Sequence, residues 1–179
     1  MLDFIVSIDK AILEFIQTYI QSSLLDKTMT FISKLGNLGF IWLTISIILI
    51  LNKKYRRAGI LAIYSLIISL ILGEVLLKNI IQRARPFIHI PNIDLLITRP
   101  TSYSFPSGHT SSSFAALGAF AEIIDNKKII IPLLALAFLM AFSRMYLMVH
   151  YPTDILGGIV LGIVSSKIAY KYCLRKDRL

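Results

Sequence analysis

The chain has 179 residues, of which 56% are hydrophobic and 16% charged. Soluble domains average about 45–50% apolar and about 25% charged residues, so this composition argues against a soluble domain and indicates a membrane protein with one domain, residues 1–179. The formal net charge of +9 could suggest nucleic acid, but the positive residues fall in short runs between apolar segments, which favours membrane lipids as partners and no nucleic acid.

The first segment, residues 2–20, has helical spacing of apolar side chains interrupted by Asp9, Lys10 and Glu14. These charges would lie in the middle of the bilayer if the helix crossed it, so we expect an amphipathic helix that lies in the membrane interface. The alternative is a spanning helix, which would give the chain six spans.

Five apolar segments follow, and we expect each to cross the membrane, because a span needs about 20 mostly apolar residues. Gly36 and Gly39 mark a break before the first of them. The segments run approximately over residues 40–51 with the preceding turns, 58–77, 107–124, 129–147 and 153–170. The predicted fold is therefore all-α, a polytopic membrane helix bundle of five spans plus the amphipathic N-terminal helix.

Basic residues are concentrated in two loops and the tail, at 52–57, 125–128 and 171–179. With five spans these segments share one face of the membrane, and the positive-inside rule makes that face cytoplasmic. The long polar connection 83–105 and the loop before residue 153 then lie on the extracytoplasmic face.

The first polar cluster is KNIIQRARP, residues 78–86. Lys78 and Arg85 are seven residues apart, so they share a face if the helix persists until Pro86 ends it. An alternative is that these cations only reach for lipid headgroups. Glu74, four residues before Lys78, is expected to pair with it rather than to take part in catalysis.

The second cluster is PSGHTSSS, residues 106–113, at the start of the third span. A helix that begins here offers free backbone N–H groups to an anion, and Gly108 lets a ligand approach the backbone closely. His109 could then donate a proton to the bound group. Ser107 acting as an ordinary helix cap is the alternative, and it is compatible with anion binding.

The third cluster is SRMYLMVHYPTD, residues 143–154. Pro152 suits the first position of a new helix, which puts Asp154 in its first turn. From there the carboxylate could accept a hydrogen bond from one ring nitrogen of His150 and leave the other nitrogen free for chemistry. The alternative is a local hydrogen bond without a catalytic role. Arg144 adds a further cation.

Together the clusters bring three cations, a helix N-terminus, two histidines and a carboxylate to one membrane face. Cations and amides of this kind match the oxygens of a phosphate. A histidine held by a carboxylate indicates a nucleophile, and the second histidine a general acid. Two further arginines near the clusters, Arg83 and Arg99, could contact a second phosphate, a headgroup or merely lipid phosphates.

The motifs K-x6-RP, PSGH and SR-x5-H-x3-D, in this order, resemble the three signature motifs of the type 2 phosphatidic acid phosphatase family, the membrane branch of the vanadium haloperoxidase-like superfamily. The match is complete at every signature position. The resemblance implies a metal-independent lipid phosphatase without a cofactor. It assigns His150 as the nucleophile, Asp154 as its partner and His109 as the general acid. The residues implied to bind the phosphoryl oxygens are Lys78, Arg85, Ser107, Gly108 and Arg144.

The short chain looks like the small bacterial members of that family, which include undecaprenyl-diphosphate and phosphatidylglycerophosphate phosphatases. We expect undecaprenyl diphosphate as the substrate, in the bacterial plasma membrane with an extracytoplasmic active site. A phosphatidylglycerophosphate or phosphatidic acid phosphatase is the alternative. A small transporter is an alternative of another class, but mere passage of an anion would not need His109, His150 and Asp154.

Overall fold

The computed structural model describes residues 2–89 and 94–174, and the regular elements in these ranges are helices only. The helices are α1 (Leu2–Phe15), α2 (Ser23–Leu35), α3 (Phe40–Leu51), α4 (Arg56–Leu70), α5 (Lys78–Ile81), α6 (Pro86–His89), α7 (Gly108–Ile123), α8 (Lys127–Tyr146) and α9 (Pro152–Ala169). Wider π-helical turns extend three of them, over Ile16–Ile20, Ile71–Leu77 and Tyr170–Leu174. The expected all-α fold is confirmed. Part of the polar connection, 90–93, and the end of the basic tail, 175–179, lie outside the described residues.

Helix α7 is the centre of the bundle, where it packs against α4, α8 and α9. Its close approach to α9 depends on small residues. A Cβ atom added at Gly162 would lie 2.6 Å from the carbonyl oxygen of Ser111 and 2.7 Å from the backbone nitrogen of Ala115. Backbones in such contact leave no room for adjustment, so α9 fixes the position of the residues that begin α7.

Three helical stretches in the described part of the chain are long and apolar enough to cross a membrane: Arg56–His89, Lys127–Tyr146 and Pro152–Tyr172. The pair Ser23–Leu35 and Asn37–Leu51 qualifies as a fourth crossing if it is counted as one span bent by 52°. Helix α7 has 16 residues, or about 24 Å, which is less than the roughly 30 Å of a bilayer's hydrocarbon core. The count of five spans stays a prediction.

The break expected at Gly36 and Gly39 is a short 3-10 turn, Asn37–Gly39, between α2 and α3. Leu38 and Gly39 both have positive φ angles there, of 53° and 69°. The left-handed conformation interrupts the helix and lets the two helical stretches meet at a bend of 52°. As a result the C-terminal end of α2 lies beside the start of α7 rather than continuing into α3.

The helix that carries Lys78 does not persist to Pro86, so Lys78 and Arg85 do not share a face of one continuous helix. It ends at Ile81, because Gln82 adopts a left-handed conformation with φ of 49°. Pro86 begins the short helix α6 instead of ending a helix, since its fixed φ suits a first turn and disfavours helix at the residue before it. A backbone hydrogen bond of 2.8 Å from Ser104 N to the carbonyl oxygen of Arg83 holds this segment against the returning connection.

Helix α1 lies beside α9 with one buried face, which includes Leu13 and Asp9. Lys10 and Glu14 are exposed. The helix is amphipathic as expected, but Asp9 is on its protein-facing side rather than at a lipid interface.

Candidate active site

The three motifs meet at one end of the bundle, although each is carried by a different element. The first motif follows the π-helical turn Ile71–Leu77, the second begins α7, and the third joins the last turn of α8 to the first turn of α9. The predicted residues that come together there are Lys78, Arg85, Ser107, Gly108, His109, Arg144, His150 and Asp154.

His150 lies in the loop between α8 and α9 with 2% of its surface exposed. Its Nδ1 is 3.5 Å from Asp154 Oδ2 and 3.5 Å from Ser104 Oγ. Its Nε2 is 3.3 Å from Arg85 Nη1. A guanidinium can only donate hydrogen bonds, so Nε2 carries the lone pair and Nδ1 carries the proton. This is the tautomer that leaves Nε2 able to attack.

Asp154 lies in the first turn of α9, where its carboxylate accepts hydrogen bonds from several donors. Its Oδ2 accepts from Ser104 Oγ at 2.5 Å and from the backbone nitrogen of Tyr151 at 2.8 Å. Its Oδ1 accepts from Arg83 Nη1 at 2.6 Å. Pro152 occupies the first position of the helix as expected. The carboxylate is completely buried and therefore keeps a fixed orientation toward His150.

Burial lowers the pKa of His150 to about 3, and the nearby charges of Arg85 and Arg144 act in the same direction. The hydrogen bond to Asp154 opposes this shift but does not overcome it. The imidazole is therefore neutral at physiological pH, as a nucleophilic nitrogen must be.

Arg85 and Lys78 meet at one serine. Arg85 Nη2 donates to Ser102 Oγ at 3.2 Å, and Lys78 Nζ donates to the same oxygen at 3.1 Å. Arg85 also donates from Nε to the carbonyl oxygen of Ser102 at 2.7 Å, and from Nη1 to that of Val149 at 2.8 Å. Ser102 thus brings the two cations together even though no continuous helix connects them.

Arg85 and Arg144 are both buried, and neither pairs with a carboxylate in the described part of the chain. Arg144 donates to Ser33 Oγ from Nη1, while its buried Nε has no hydrogen-bond partner among the described residues. Lys78, by contrast, pairs with Glu74 at 2.8 Å as expected. Buried cations without counterions are costly, so two of them beside a neutral histidine indicate a site for an anion.

Helix α7 begins at Gly108, next to Glu74, the ion-pair partner of Lys78. Ser107 is the cap, and its Oγ accepts hydrogen bonds from Thr110 Oγ1 at 3.0 Å and from the backbone nitrogen of Thr110 at 3.4 Å. A Cβ atom at Gly108 would lie 2.4 Å from Glu74 Oε1, so a larger residue here would require the Glu74 side chain to move. The first amides of the helix complete the positive environment.

His109 is positioned by the end of α2. Its Nε2 is 3.1 Å from the carbonyl oxygen of Ser33 and 3.2 Å from Asn37 Oδ1. Because a carbonyl oxygen can only accept, Nε2 carries a proton, and Nδ1 is the nitrogen left for proton transfer in this conformation. Ser33 therefore serves both His109 and Arg144, through its carbonyl and its hydroxyl oxygen respectively.

Sequence reasoning missed the polar residues that support the site: Asp9, Ser33, Asn37, Ser102 and Ser104. The serines carry no distinguishing signal, because serine is common and these contacts form only in the folded chain. Asp9 did carry a signal, since a carboxylate within an apolar helix is usually functional. Arg83 pairs with Asp9 and Asp154, and Arg99 lies over the ring of Phe87 at 5.8 Å.

Comparison with known proteins adds independent findings. The family model of the PAP2 superfamily matches residues 58–178. The chain is 34% identical over 145 residues to an undecaprenyl-diphosphatase of Sulfolobus acidocaldarius, covering 80% of this chain and 68% of that protein. It is 30% identical over 155 residues to an undecaprenyl-diphosphatase of Bacillus subtilis, covering 84% and 76%.

A similar solved structure is that of a transmembrane PAP2 type phosphatidylglycerolphosphate phosphatase from Bacillus subtilis. The TM-score is 0.76 at 28% sequence identity, and the match covers 97% of this chain and 88% of the other. This likeness extends beyond the matched family region to the N-terminal helices α1 and α2.

Proposed function

The chain belongs to the PAP2 superfamily and is a membrane lipid phosphatase; from that premise we propose that it hydrolyses undecaprenyl diphosphate to undecaprenyl phosphate through a phosphohistidine at His150. The observation that carries the proposal is the position of the His150 ring. Its Nε2 faces Arg85, one of the two buried arginines without a carboxylate, and its Nδ1 faces Asp154. A neutral, oriented nucleophile thus lies next to uncompensated positive charge.

In the first step the Nε2 lone pair attacks the terminal phosphorus. A nitrogen–phosphorus bond forms, and the bond from phosphorus to the bridging oxygen breaks. Arg85 turns its N–H from Nε2 to a phosphoryl oxygen, and the other oxygens are held by Lys78, Arg144 and the amides that follow Ser107. Charge in the transition state develops on these oxygens, so fixed cations and amides lower the barrier.

The leaving group of this step is the lipid monophosphate, which takes a proton from the protonated His109 ring. In the second step His109 accepts a proton from water, the water oxygen attacks the phosphohistidine, and the nitrogen–phosphorus bond breaks. Inorganic phosphate leaves and His150 returns to its neutral form. Asp154 balances the positive charge that the His150 ring carries while it is phosphorylated.

The carrier-lipid diphosphate is favoured by two relatives, whose names describe undecaprenyl-diphosphatases. We place the protein in the bacterial plasma membrane, as a single domain with its site on the extracytoplasmic face. The ends of α7 support this orientation. Its first residue lies in the site, while the loop that follows it, with Asp125 and Asn126, lines a cleft with Lys54 and Tyr55 of the other basic loop. The basic loops are thus at the opposite end of the bundle from the site.

A phosphatidylglycerophosphate phosphatase is the second candidate, because the name of the similar Bacillus subtilis structure describes that activity. The site residues contact the phosphoryl group rather than the rest of the lipid, so they serve both substrates.

The test is phosphate release by the purified protein in detergent with EDTA, from undecaprenyl diphosphate and from phosphatidylglycerophosphate. We expect the diphosphate to have the higher kcat/KM. His150→Ala should abolish release of phosphate from either lipid, whereas His89→Ala, the same change at an exposed histidine, should not. A higher kcat/KM for phosphatidylglycerophosphate would make that lipid the substrate in place of undecaprenyl diphosphate. An active His150→Ala variant would overturn the mechanism.

A further inference from the structure

Asp9 is a buried carboxylate in a helix that lies outside the matched family region. Only 1% of its surface is exposed, whereas 43% is exposed at the preceding Ile8. Oδ1 accepts from the backbone nitrogen of Thr153 at 3.0 Å, and Oδ2 accepts from Thr153 Oγ1 and from Arg83 Nη2, the latter at 2.6 Å. Both oxygens are therefore engaged with groups at the start of α9 and in the first motif.

Arg83 connects this carboxylate to the site. Its Nη2 donates to Asp9, while its Nη1 donates to Asp154 Oδ1 at 2.6 Å and to Thr153 Oγ1 at 2.7 Å. The guanidinium also lies over the ring of Tyr151, 4.1 Å from its centroid. One cation is thus shared by two carboxylates, and its planar fork fixes the geometry of both.

Because Asp9 and Asp154 share the Arg83 cation, Asp9 affects the net charge that faces His150. Asp9, Arg83 and Asp154 together carry one net negative charge, and Asp154 presents it to Nδ1. If Asp9 were neutral, Arg83 would cancel the charge of Asp154 alone. The His150 ring becomes positive when its Nε2 is phosphorylated, so it needs that remaining negative charge.

We infer that Asp9 is a positioning residue for the phosphatase reaction, which acts through Arg83 to orient Asp154 and to keep its negative charge available to His150. The inference rests on the proposed function, because it concerns the same histidine. It makes the N-terminal helix part of the catalytic apparatus, and not only a membrane-associated segment.

The test compares kcat and KM of four variants with wild type, using farnesyl diphosphate in detergent. Asp9→Asn should lower kcat about tenfold and leave KM within about twofold, because the chemical step loses charge balance while substrate contacts remain. Arg83→Lys keeps the charge but lacks the planar fork that fixes the orientation of both carboxylates, so it should show the same change and provides a second variant if Asp9→Asn does not fold. Glu14→Gln, the same chemical change at an exposed position of α1, should have no effect. His150→Ala should be inactive.

A double-mutant cycle separates positioning from mere structural support. In an Asp154→Asn background, Asp9→Asn or Arg83→Lys should change kcat less than about twofold, because the residue through which they act is already neutral. If that background has too little turnover, the affinity for orthovanadate measured by calorimetry replaces kcat in the same cycle. Equal losses in both backgrounds, or wild-type kcat in folded Asp9→Asn, overturn the inference. Full activity of His150→Ala would instead overturn the proposed function.

Discussion

The two ring nitrogens of His150 face groups of opposite hydrogen-bonding character. Arg85 can only donate to Nε2, and Asp154 can only accept from Nδ1. The tautomer thus follows from residue chemistry, whereas the sequence motif predicts only that Asp154 engages one ring nitrogen and leaves the other free. The two other histidines, His89 and His109, have no such pair of partners in the described part of the chain.

The lowered pKa of His150 predicts that its ring stays neutral well into the acid range. With a pKa of about 3, the ring gains a proton only when the pH falls to that region, whereas an ordinary histidine is about nine-tenths protonated at about pH 5.5. Nitrogen-15 NMR of histidine-labelled protein, with His150→Gln used for assignment, should show two widely separated ring signals for His150 at about pH 5.5. Converged signals, typical of imidazolium, would contradict this.

Removal of His109 is expected to slow the reaction more when the leaving group has a greater need for a proton. His109→Ala should lower kcat/KM, which reports the leaving-group step, for phosphatidylglycerophosphate, whose leaving group is an alcohol, by about a hundredfold or more. The loss in kcat/KM should be at least tenfold smaller for undecaprenyl diphosphate, whose leaving group is a stabilised phosphate. Steady-state kcat/KM for both lipids checks this, and equal losses in kcat/KM would argue against a general-acid role.

At the scale of elements, the end of α2 controls where the His109 ring lies. A Cβ atom at Gly36 would be 2.6 Å from His109 Cδ2 and 2.4 Å from Met140 Sδ. The flexible methionine can move, but the ring is held by Ser33 and Asn37. We therefore expect Gly36→Ala to lower kcat by about tenfold or more, while the cost in stability stays within the roughly 1–3 kcal/mol of an overpacked core.

Gly118→Ala is the matched control for this prediction. A Cβ atom there would be 2.4 Å from Ser166 Oγ, which is comparable crowding within the interface of α7 and α9. It should lower the thermal midpoint without a comparable loss of kcat. If Gly36→Ala and Gly118→Ala lower kcat equally, the loss comes from crowding in general and not from displacement of the His109 ring.

The sequence predicts those elements of the site that carry chemistry, because histidine, arginine and glycine at fixed spacing have few other uses in an apolar chain. It does not predict the end of α5, since Gln82 with positive φ is not favoured by its residue type. Local hydrogen bonds from Gln82 to the carbonyl oxygens of Lys78 and Asn79 accompany that conformation, together with a tertiary contact that the sequence does not show, the hydrogen bond from Ser104 N to the Arg83 carbonyl oxygen. Ser102 was missed for the same reason, because its contacts with Lys78 and Arg85 exist only once the connection folds back.

At the scale of the whole molecule, the basic loops and the site lie at opposite ends of the bundle. This predicts that residues of the polar connection are accessible from outside the cell and that the 124–126 loop is not. The test uses single cysteines in place of exposed Thr98 and Asp125, in a variant in which the only cysteine, Cys173, is serine.

An impermeant thiol reagent added to intact cells should label position 98 and not position 125, whereas lysed cells should be labelled at both. The reverse pattern would place the site in the cytoplasm and remove the reason for preferring an extracytoplasmic carrier lipid. Equal labelling in intact cells would contradict a fixed orientation.

The central claim is that His150 carries the phosphoryl group between the two steps. The most direct measurement is rapid quench of the purified protein with undecaprenyl diphosphate, under alkaline conditions that preserve phosphohistidine, followed by mass spectrometry of the digested chain. Phosphate should be found on residue 150 within the first turnover, and its amount should rise in His109→Ala, which activates water poorly. Phosphate on another residue, or turnover without any phosphoenzyme in both proteins, would contradict the claim.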